Sequence, residues 1–400
     1  MSAVELRQAP RRARRIVVKI GSGFLTDDGH VRNAAFGQIA RQVAKLVADG
    51  REVVLVSSGA IAVGSRKLGW SHPGHSIPEK QAAAAVGQIG LIETYRRRFA
   101  RHGLEVAQIL LTRSGLEPRE RFLNARHTLH ALLRLGVVPI VNENDTVATE
   151  EIRFGDNDNL SATVVNLVGA ELLVIVSDVD GLYREPPRAG QPTPPLFDVV
   201  EHIGPAVVRA AGGSERAFGR GGMTTKLEAA KAAARCGAHT VVCNGRRKDV
   251  ILRVAAGEPV GTLFLAADRL ASRKHWLAFT TRTRGALVVD DGAARALVER
   301  GKSLLPAGIT GIRGEFGIGD PVACIDARGV EIARGLVAYS SEAIERIAGL
   351  PTQRIDSVLG YSNGGEVIHR DDLVLSGSAP QVARSEPEAS EDQKAPASTD

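Results

Sequence analysis

The chain has few of the residues that mark disulfide-rich, zinc-binding or membrane proteins. Cysteine occurs only at Cys236, Cys243 and Cys324, without CxxC spacing, so neither a disulfide framework nor a zinc site is predicted. An apolar run of about 18 residues, the length of a membrane helix, does not occur, and the first residues lack the apolar segment of a signal peptide. These absences predict a cytoplasmic protein without a membrane span.

The net positive charge is also small when the two ends of the chain are counted separately from the rest. The formal net charge is +6, of which residues 1–15 carry +4 and residues 376–400 carry −3. The remaining +5 is mild for a nucleic-acid-binding protein and compatible with a pocket for small anions. We expect residues 1–15 to form a disordered basic arm and residues 376–400, rich in Ser, Pro, Ala and acidic residues, to form a disordered acidic tail.

Hydrophobic residues make up 44% of the 400 residues, enough for two cored domains. Up to about residue 265, continuous apolar runs alternate with helical patterns, which indicates an α/β domain with a mostly parallel sheet flanked by helices. The predicted strands are Ile16–Ile20, Val53–Ser57, Val106–Leu111, Val137–Val141, Leu172–Ser177 and Thr240–Cys243.

Short β-rich segments separated by glycine turns follow from about residue 270, which predicts a small barrel or sandwich. The predicted boundaries are 16–268 for the α/β domain and 276–374 for the β-rich domain. Residues 276–374 hold 11 Lys or Arg against 13 Asp or Glu. Their negative balance disfavours binding to an RNA backbone.

Two glycine-and-lysine segments predict phosphate binding: VVKIGSG at Val17–Gly23 and GRGGMTTK at Gly219–Lys226, which opens a helix. Glycines let backbone N–H groups converge on phosphate oxygens, a helix N-terminus adds partial positive charge, and lysine adds a full one. Neither segment has the spacing of a P-loop or a dinucleotide fingerprint. Each alone also fits an ordinary strand-to-helix turn.

Polar clusters follow three predicted strands, at Ser57–Ala60, Asn142–Asp145 and Ser177–Asp178, and a fourth, Gly155–Asn159, precedes a predicted helix. Open α/β sheets bind ligands at the carboxyl ends of their strands. Each cluster alone fits a helix cap or a turn. Four together place more carboxylates on one edge of the sheet than caps require, which indicates a functional site.

The segments VVKIGSG, VSSGA, PIVNENDTVAT, GDNDNLSA and GRGGMTTK, in this order, resemble the amino acid kinase family. With RERFLNARHTL and VGTLF the resemblance spans about residues 16–266, and the β-rich remainder is similar to a PUA domain. It is closest to the members that use ATP and Mg²⁺ to phosphorylate the side-chain carboxylate of L-glutamate. The resemblance therefore implies formation of L-glutamyl 5-phosphate, the first step of proline biosynthesis.

The resemblance also implies roles for individual residues. Lys19 and Lys226 match the pair that stabilises the transferring phosphoryl group, and Asp158 matches the residue that orients both. The glutamate-binding positions are Ser58, Asp145 and Asn157. The ATP-binding positions are Lys19, Gly21, Ser177, Asp178, Arg220, Gly221, Gly222, Met223, Thr224, Thr225 and Lys226. No protein ligand is assigned to Mg²⁺, because phosphates and water are expected to hold it.

This chemistry is reasonable on physical grounds. A carboxylate with a pKa of about 4.3 is already ionised at neutral pH, so the attacking oxygen needs no general base. The obstacle is the approach of an anion to a polyanion, which two lysines and Mg²⁺ overcome by electrostatics and positioning.

Three other interpretations stay open: an acetylglutamate kinase, whose substrate lacks a free α-ammonium, an RNA-binding protein, and a kinase-like regulator without activity. Asp145 favours a free amino acid, and the presence of both lysines and Asp158 favours activity. Feedback inhibition by proline, a homo-oligomer and a partnership with glutamyl phosphate reductase are implied by the family alone.

Overall fold

The computed structural model describes residues 3–27, 30–112, 114–148, 157–187, 190–212, 222–266 and 283–376. Within these ranges the chain forms an α/β domain around an eight-stranded sheet, followed by a β-rich domain around a five-stranded sheet. Among the helices in these ranges, none has both the length and the apolar character needed to cross a bilayer.

The α/β domain extends from the first described residue to Phe264. Its strands are β1 Arg15–Ile20, β2 Thr26–Asp27, β3 His30–Val31, β4 Glu52–Ser57, β5 Val106–Leu111, β6 Val138–Glu143, β7 Leu172–Ser177, β8 Val199–Val200, β9 His239–Asn244 and β10 Thr262–Phe264. Its helices are α1 Ala3–Leu6, α2 Ser22–Leu25, α3 Asn33–Ala48, α4 Ala60–Lys67, α5 Ile77–Ala100, α6 Arg119–Arg134, α7 Asp158–Val168, α8 Pro205–Ala210, α9 Met223–Arg235 and α10 Val250–Ala255.

The large sheet has the strand order β5-β6-β4-β1-β7-β9-β10-β8, and β2 pairs with β3 in a separate hairpin. Neighbouring strands are parallel except β9 and β10, which are antiparallel. Residues of α3, α5 and α10 line the apolar core on one face, and residues of α6, α7 and α9 line the core on the other. Burial on both faces explains the continuous apolar runs, and the predicted mostly parallel α/β fold is confirmed.

Strand β1 lies between β4 and β7, so that Ile20 is paired with Ser57 on one side and with Val176 on the other. The predicted polar clusters after β4, β6 and β7 therefore share one edge of the sheet with the glycines after β1. This edge is where the candidate site lies.

Residues 3–15 have regular structure. The prediction of a disordered arm is therefore wrong for this part of the chain. Helix α1 precedes a 3₁₀ turn at Ala9–Arg12, and the buried Arg7 lies between them. The Arg7 guanidinium forms an ion pair with Asp198 at 2.5 Å and donates to the carbonyls of Val260 and Gly261 at 3.1 and 2.6 Å. A rigid, five-donor guanidinium satisfied in this way fixes the arm to the start of β8 and β10.

The second domain contains the strands β11 Gly285–Val289, β12 Ile309–Arg313, β13 Pro321–Ile325, β14 Glu331–Leu336 and β15 Leu373–Leu375, and the helices α11 Asp291–Val298, α12 Ser341–Ile347 and α13 Ile355–Leu359. Its strand order is β12-β11-β13-β14-β15, with only β11 and β13 parallel among these neighbours. A separate apolar core supports it. The predicted boundary at 268–276 lies outside the described residues, and so does the predicted tail at 376–400 apart from Ser376.

The two domains are joined by an ion pair between Arg126 of α6 and Asp372, which precedes β15. The two side chains are only 7% and 10% exposed. Removing one partner of such a buried pair leaves an uncompensated charge, at a cost of about 3–5 kcal/mol. The β-rich domain therefore covers a charge that belongs to the first domain.

His130 follows Arg126 by one helical turn of α6. Burial lowers the pKa of His130 from its ordinary 6.5 to about 4, and the charges of Arg15 and Arg126 act in the same direction. Because the folded pKa lies below the unfolded one, neutral His130 stabilises the fold above about pH 6.5. This contribution is lost as the pH falls towards about 4.

We expect His130→Gln to remove part of this acid sensitivity. The loss of unfolding free energy between about pH 7 and about pH 4.5 should shrink by about 1–2 kcal/mol, a value reduced from the full pKa shift because the side chain is only partly buried. Urea unfolding of both proteins at the two pH values measures the difference. An equal loss in wild type and variant would contradict it.

Candidate active site

Lys19, Asp158 and Lys226 form one buried cluster at the edge where the strands end. Lys19 Nζ lies 2.5 Å from Asp158 Oδ1, and Lys226 Nζ lies 3.2 Å from Asp158 Oδ2. The three residues are 3%, 0% and 6% exposed, respectively. The structure thus brings together the three predicted catalytic residues, which are far apart in the sequence.

A different element supplies each member of this cluster. Lys19 is the fifth residue of β1, paired with Val56 and Ile175. Asp158 is the first residue of α7, where the partial positive charge of a helix N-terminus favours a carboxylate. Lys226 lies in the first turn of α9, and the preceding Thr225 donates from Oγ1 to Asp158 Oδ2 at 2.9 Å.

In this cluster both ammonium groups contact the same carboxylate, that of Asp158. Ammonium groups that are buried in this way attract anions strongly, because little water screens their charge. The phosphoryl group of a nucleotide is an anion of this kind. The cluster therefore fits a phosphate ligand.

The backbone around Gly21 passes close to Ser177 and Asp178, two of the predicted ATP-binding residues. Gly21 donates its N–H to the Val176 carbonyl at 3.0 Å, and a Cβ on Gly21 would lie 3.9 Å from Lys19 Nζ. A Cβ on Gly23 would lie 3.3 Å from Asp178 Oδ2, tighter than most real contacts. The glycines thus let the loop after β1 lie against the end of β7, where Ser177 and Asp178 are found.

The predicted glutamate-binding residues are connected to the same edge. Asn157, next to Asp158, donates from Nδ2 to the carbonyl of Ser57 at 2.6 Å, just before Ser58. Gly59 has a φ of 106°, a left-handed conformation that favours glycine and turns the chain into α4. Asp145 lies in the turn that follows β6.

Part of the predicted ATP-binding loop lies outside the described residues, namely Arg220 and Gly221, as do Gly155 and Asp156 of the fourth polar cluster. Gly222 is the N-cap of α9, followed by Met223 and Thr224. The ATP-binding assignment of this segment stays a prediction, and so do the roles of the other predicted residues.

Sequence reasoning missed two amide side chains at this edge, those of Asn142 and Gln88. Asn142 Oδ1 accepts from Asn157 Nδ2 at 2.8 Å, and Asn142 Nδ2 donates to Gln88 Oε1 at the same distance. Asn142 belonged to a recognised polar cluster without being given a role. Gln88 gave no signal, because a glutamine within a long helix is usually a surface residue.

Comparison with known proteins agrees with this geometry. A model of the amino acid kinase family matches residues 14–244, a range that holds Lys19, Asp158 and Lys226, and a PUA-domain model matches residues 285–359. The chain belongs to the amino acid kinase family. The predicted family, the predicted fold and the presence of a PUA domain are therefore confirmed.

The most similar members of the amino acid kinase family include several proteins named glutamate 5-kinase. The one from Paraburkholderia xenovorans is 52% identical over 91% of this chain and 98% of its own length. The one from Pelobacter propionicus is 50% identical over 92% of this chain and 99% of its own, and the one from Ralstonia pickettii is 50% identical over 91% and 97%. The similarity thus includes both domains.

Proposed function

We propose that this protein transfers the γ-phosphoryl group of ATP to the side-chain carboxylate of L-glutamate, giving L-glutamyl 5-phosphate and ADP, the first step of proline biosynthesis. The observation that carries the proposal is the buried cluster of Lys19, Asp158 and Lys226, in which two ammonium groups contact one carboxylate. The names of its relatives across nearly the full chain support the choice of glutamate.

The two lysines act by electrostatic stabilisation and not as general acids or bases. The side-chain carboxylate of glutamate is ionised at neutral pH and attacks without a general base. Asp158 keeps both ammonium groups in place before ATP binds, so that little reorganisation is needed when charge develops on the transferring group. Lys19 and Lys226 then stabilise the negative charge on the phosphoryl oxygens throughout the transfer.

The nucleotide and its Mg²⁺ would lie between the loop after β1, the end of β7 and the start of α9. Gly21 offers room for close approach of a phosphate, and the residues Gly222–Lys226 begin a helix of 13 residues, whose N-terminus favours anions. Bound Mg²⁺ supplies further charge neutralisation on the phosphates.

Ser58, Asp145 and Asn157 would hold the amino acid. Asp145 carries a carboxylate that can pair with the α-ammonium, and the turn at Ser58 and Gly59 can donate to a carboxylate of glutamate. Asn157 precedes Asp158 directly, so binding of the substrate and orientation of the lysines depend on the same helix start.

Four further proposals rest on the family: feedback inhibition by proline, a homo-oligomeric state, a partnership with glutamyl phosphate reductase, and a cytoplasmic location. Each requires its own measurement. Proline inhibition is the simplest to include, since it uses the same assay.

Trapping the acyl phosphate with hydroxylamine tests the main proposal. Glutamate with ATP and Mg²⁺ should give the hydroxamate, and omission of any one of the three should abolish it. N-acetyl-L-glutamate, which lacks the α-ammonium, is the discriminating control, and a parallel series with proline tests feedback inhibition. Equal or greater turnover of the acetylated substrate would reject glutamate as the substrate, and no turnover of either would reject the activity.

A further inference from the structure

Three amide side chains form a continuous hydrogen-bonded chain from α5 to the candidate site. Gln88 Oε1 accepts from Asn142 Nδ2 at 2.8 Å, and Asn142 Oδ1 accepts from Asn157 Nδ2 at 2.8 Å. Asn142 and Asn157 are buried, and Gln88 is partly buried. The chain ends at Asn157, a proposed glutamate-binding residue.

Backbone groups fix the orientation of each amide in this chain. The Glu143 N–H, which can only donate, lies 2.9 Å from Asn142 Oδ1. The carbonyl of Ser57, which can only accept, lies 2.6 Å from Asn157 Nδ2. The Asn142 oxygen must therefore face Glu143 and Asn157, its NH₂ group must face Gln88, and Gln88 must present its oxygen.

Asn157 uses both of its side-chain N–H groups in these contacts, one to Ser57 and one to Asn142. The group that remains for a ligand is its oxygen, Oδ1, which can only accept. Asn157 held in this orientation suits a hydrogen-bond donor on the substrate, such as the α-ammonium, and not a carboxylate. If the Asn157 amide could flip, so that its oxygen and its NH₂ group exchanged places, this selectivity would be lost.

Helix α5 is held firmly where Gln88 lies. A Cβ on the neighbouring Gly87 would lie 1.8 Å from the Ala60 carbonyl, and one on Gly64 would lie 1.7 Å from the Ala83 carbonyl. Only glycine permits such close backbone contact between α4 and α5. Because the two helices cannot slide freely against each other, the backbone that carries Gln88 has a fixed position relative to α4.

We infer that Gln88 is a positioning residue for the amino-acid substrate. Its oxygen holds Asn142, and Asn142 holds the Asn157 amide with its acceptor available to the substrate ammonium. Gln88 itself does not touch the substrate in this arrangement. The inference rests on the proposed function, through the assignment of Asn157 to the glutamate site.

Two substitutions distinguish the effect of the hydrogen-bond acceptor on Gln88 from the effect of the size of its side chain. Gln88→Met keeps the length and helix preference but removes the acceptor, whereas Gln88→Glu keeps an acceptor for Asn142 Nδ2. We expect Gln88→Met to raise the KM for glutamate about tenfold, since Asn142 loses a partner in a buried network. The KM for ATP and kcat should stay within about twofold, and Gln88→Glu should restore most of the glutamate affinity.

Steady-state kinetics of both variants and of Asn157→Ala test the inference, with Ile89→Met as the matched control, because Ile89 is the next residue of α5 and is 70% exposed. A rise in the glutamate KM for Asn157→Ala and Gln88→Met, with recovery in Gln88→Glu, supports it. A rise for Asn157→Ala alone overturns the role of Gln88. An unchanged KM in Asn157→Ala means that the proposed glutamate site is itself misassigned. Equal losses in Gln88→Met and Gln88→Glu also overturn the inference, because they would show that the acceptor is not what matters.

Discussion

Replacement of Lys226 by alanine is expected to lower kcat by roughly 10²- to 10³-fold, while the KM for glutamate changes little. Lys226 Nζ is held 3.2 Å from Asp158 Oδ2 in a buried cluster, so its charge is in place before the reaction begins. The charge matters most while the phosphoryl group moves, and solvent cannot replace it. Initial rates over a range of glutamate and ATP concentrations measure the effect.

Lys231→Ala is the matched control, because it removes the same charge five residues further along α9. Unfolding curves for both variants show whether the fold is retained, and Asp158 keeps Lys19 as a partner at 2.5 Å in the Lys226 variant. An unchanged kcat in folded Lys226→Ala protein would exclude Lys226 from the stabilisation of phosphoryl transfer.

Replacement of Asp145 by alanine is expected to act on binding instead. When the substrate ammonium loses a charged hydrogen-bond partner, the binding free energy of glutamate typically weakens by about 2–3 kcal/mol. This corresponds to a rise in the glutamate KM of about 30- to 150-fold. The KM for ATP should be nearly unaffected, since Asp145 follows β6 whereas the proposed nucleotide site lies at β1, β7 and α9.

Asp145→Asn serves as the control for shape, since it keeps an oxygen acceptor but removes the charge. We expect its KM for glutamate to fall between those of wild type and Asp145→Ala. A loss of ATP affinity with an unchanged glutamate KM in Asp145→Ala would move this residue to the nucleotide side.

Much of the large sheet could be predicted because its long inner strands are buried on both faces. Continuous apolar runs mark such strands, and the predicted Leu172–Ser177 coincides with the fully buried β7. The predicted Val106–Leu111 coincides with β5, an edge strand that is only partly buried. Strands β8 and β10, which lie next to each other at one end of the sheet and have two and three residues, are too short to leave a pattern. The ends of the long strands in turn predicted where the polar clusters would meet.

Contacts between residues far apart in the sequence could not be predicted in the same way. A run of arginines near the start of the chain looks like a solvated segment, and nothing local shows that Arg7 pairs with Asp198, 191 residues later. The partnership of Gln88 with Asn142 was hidden for the same reason, since neither side chain signals the other. Sequence reasoning located the candidate site but not the side chains that hold it in place.

The ion pair between Arg126 and Asp372 constrains how such a two-domain protein can evolve. Its partners lie 246 residues apart, on either side of the domain boundary. A recombination event that exchanged the β-rich domain would remove the carboxylate that pairs with the buried Arg126 guanidinium. The incoming domain would have to supply another carboxylate at the same position. The two domains are therefore expected to be inherited as a matched pair, although each has an apolar core of its own.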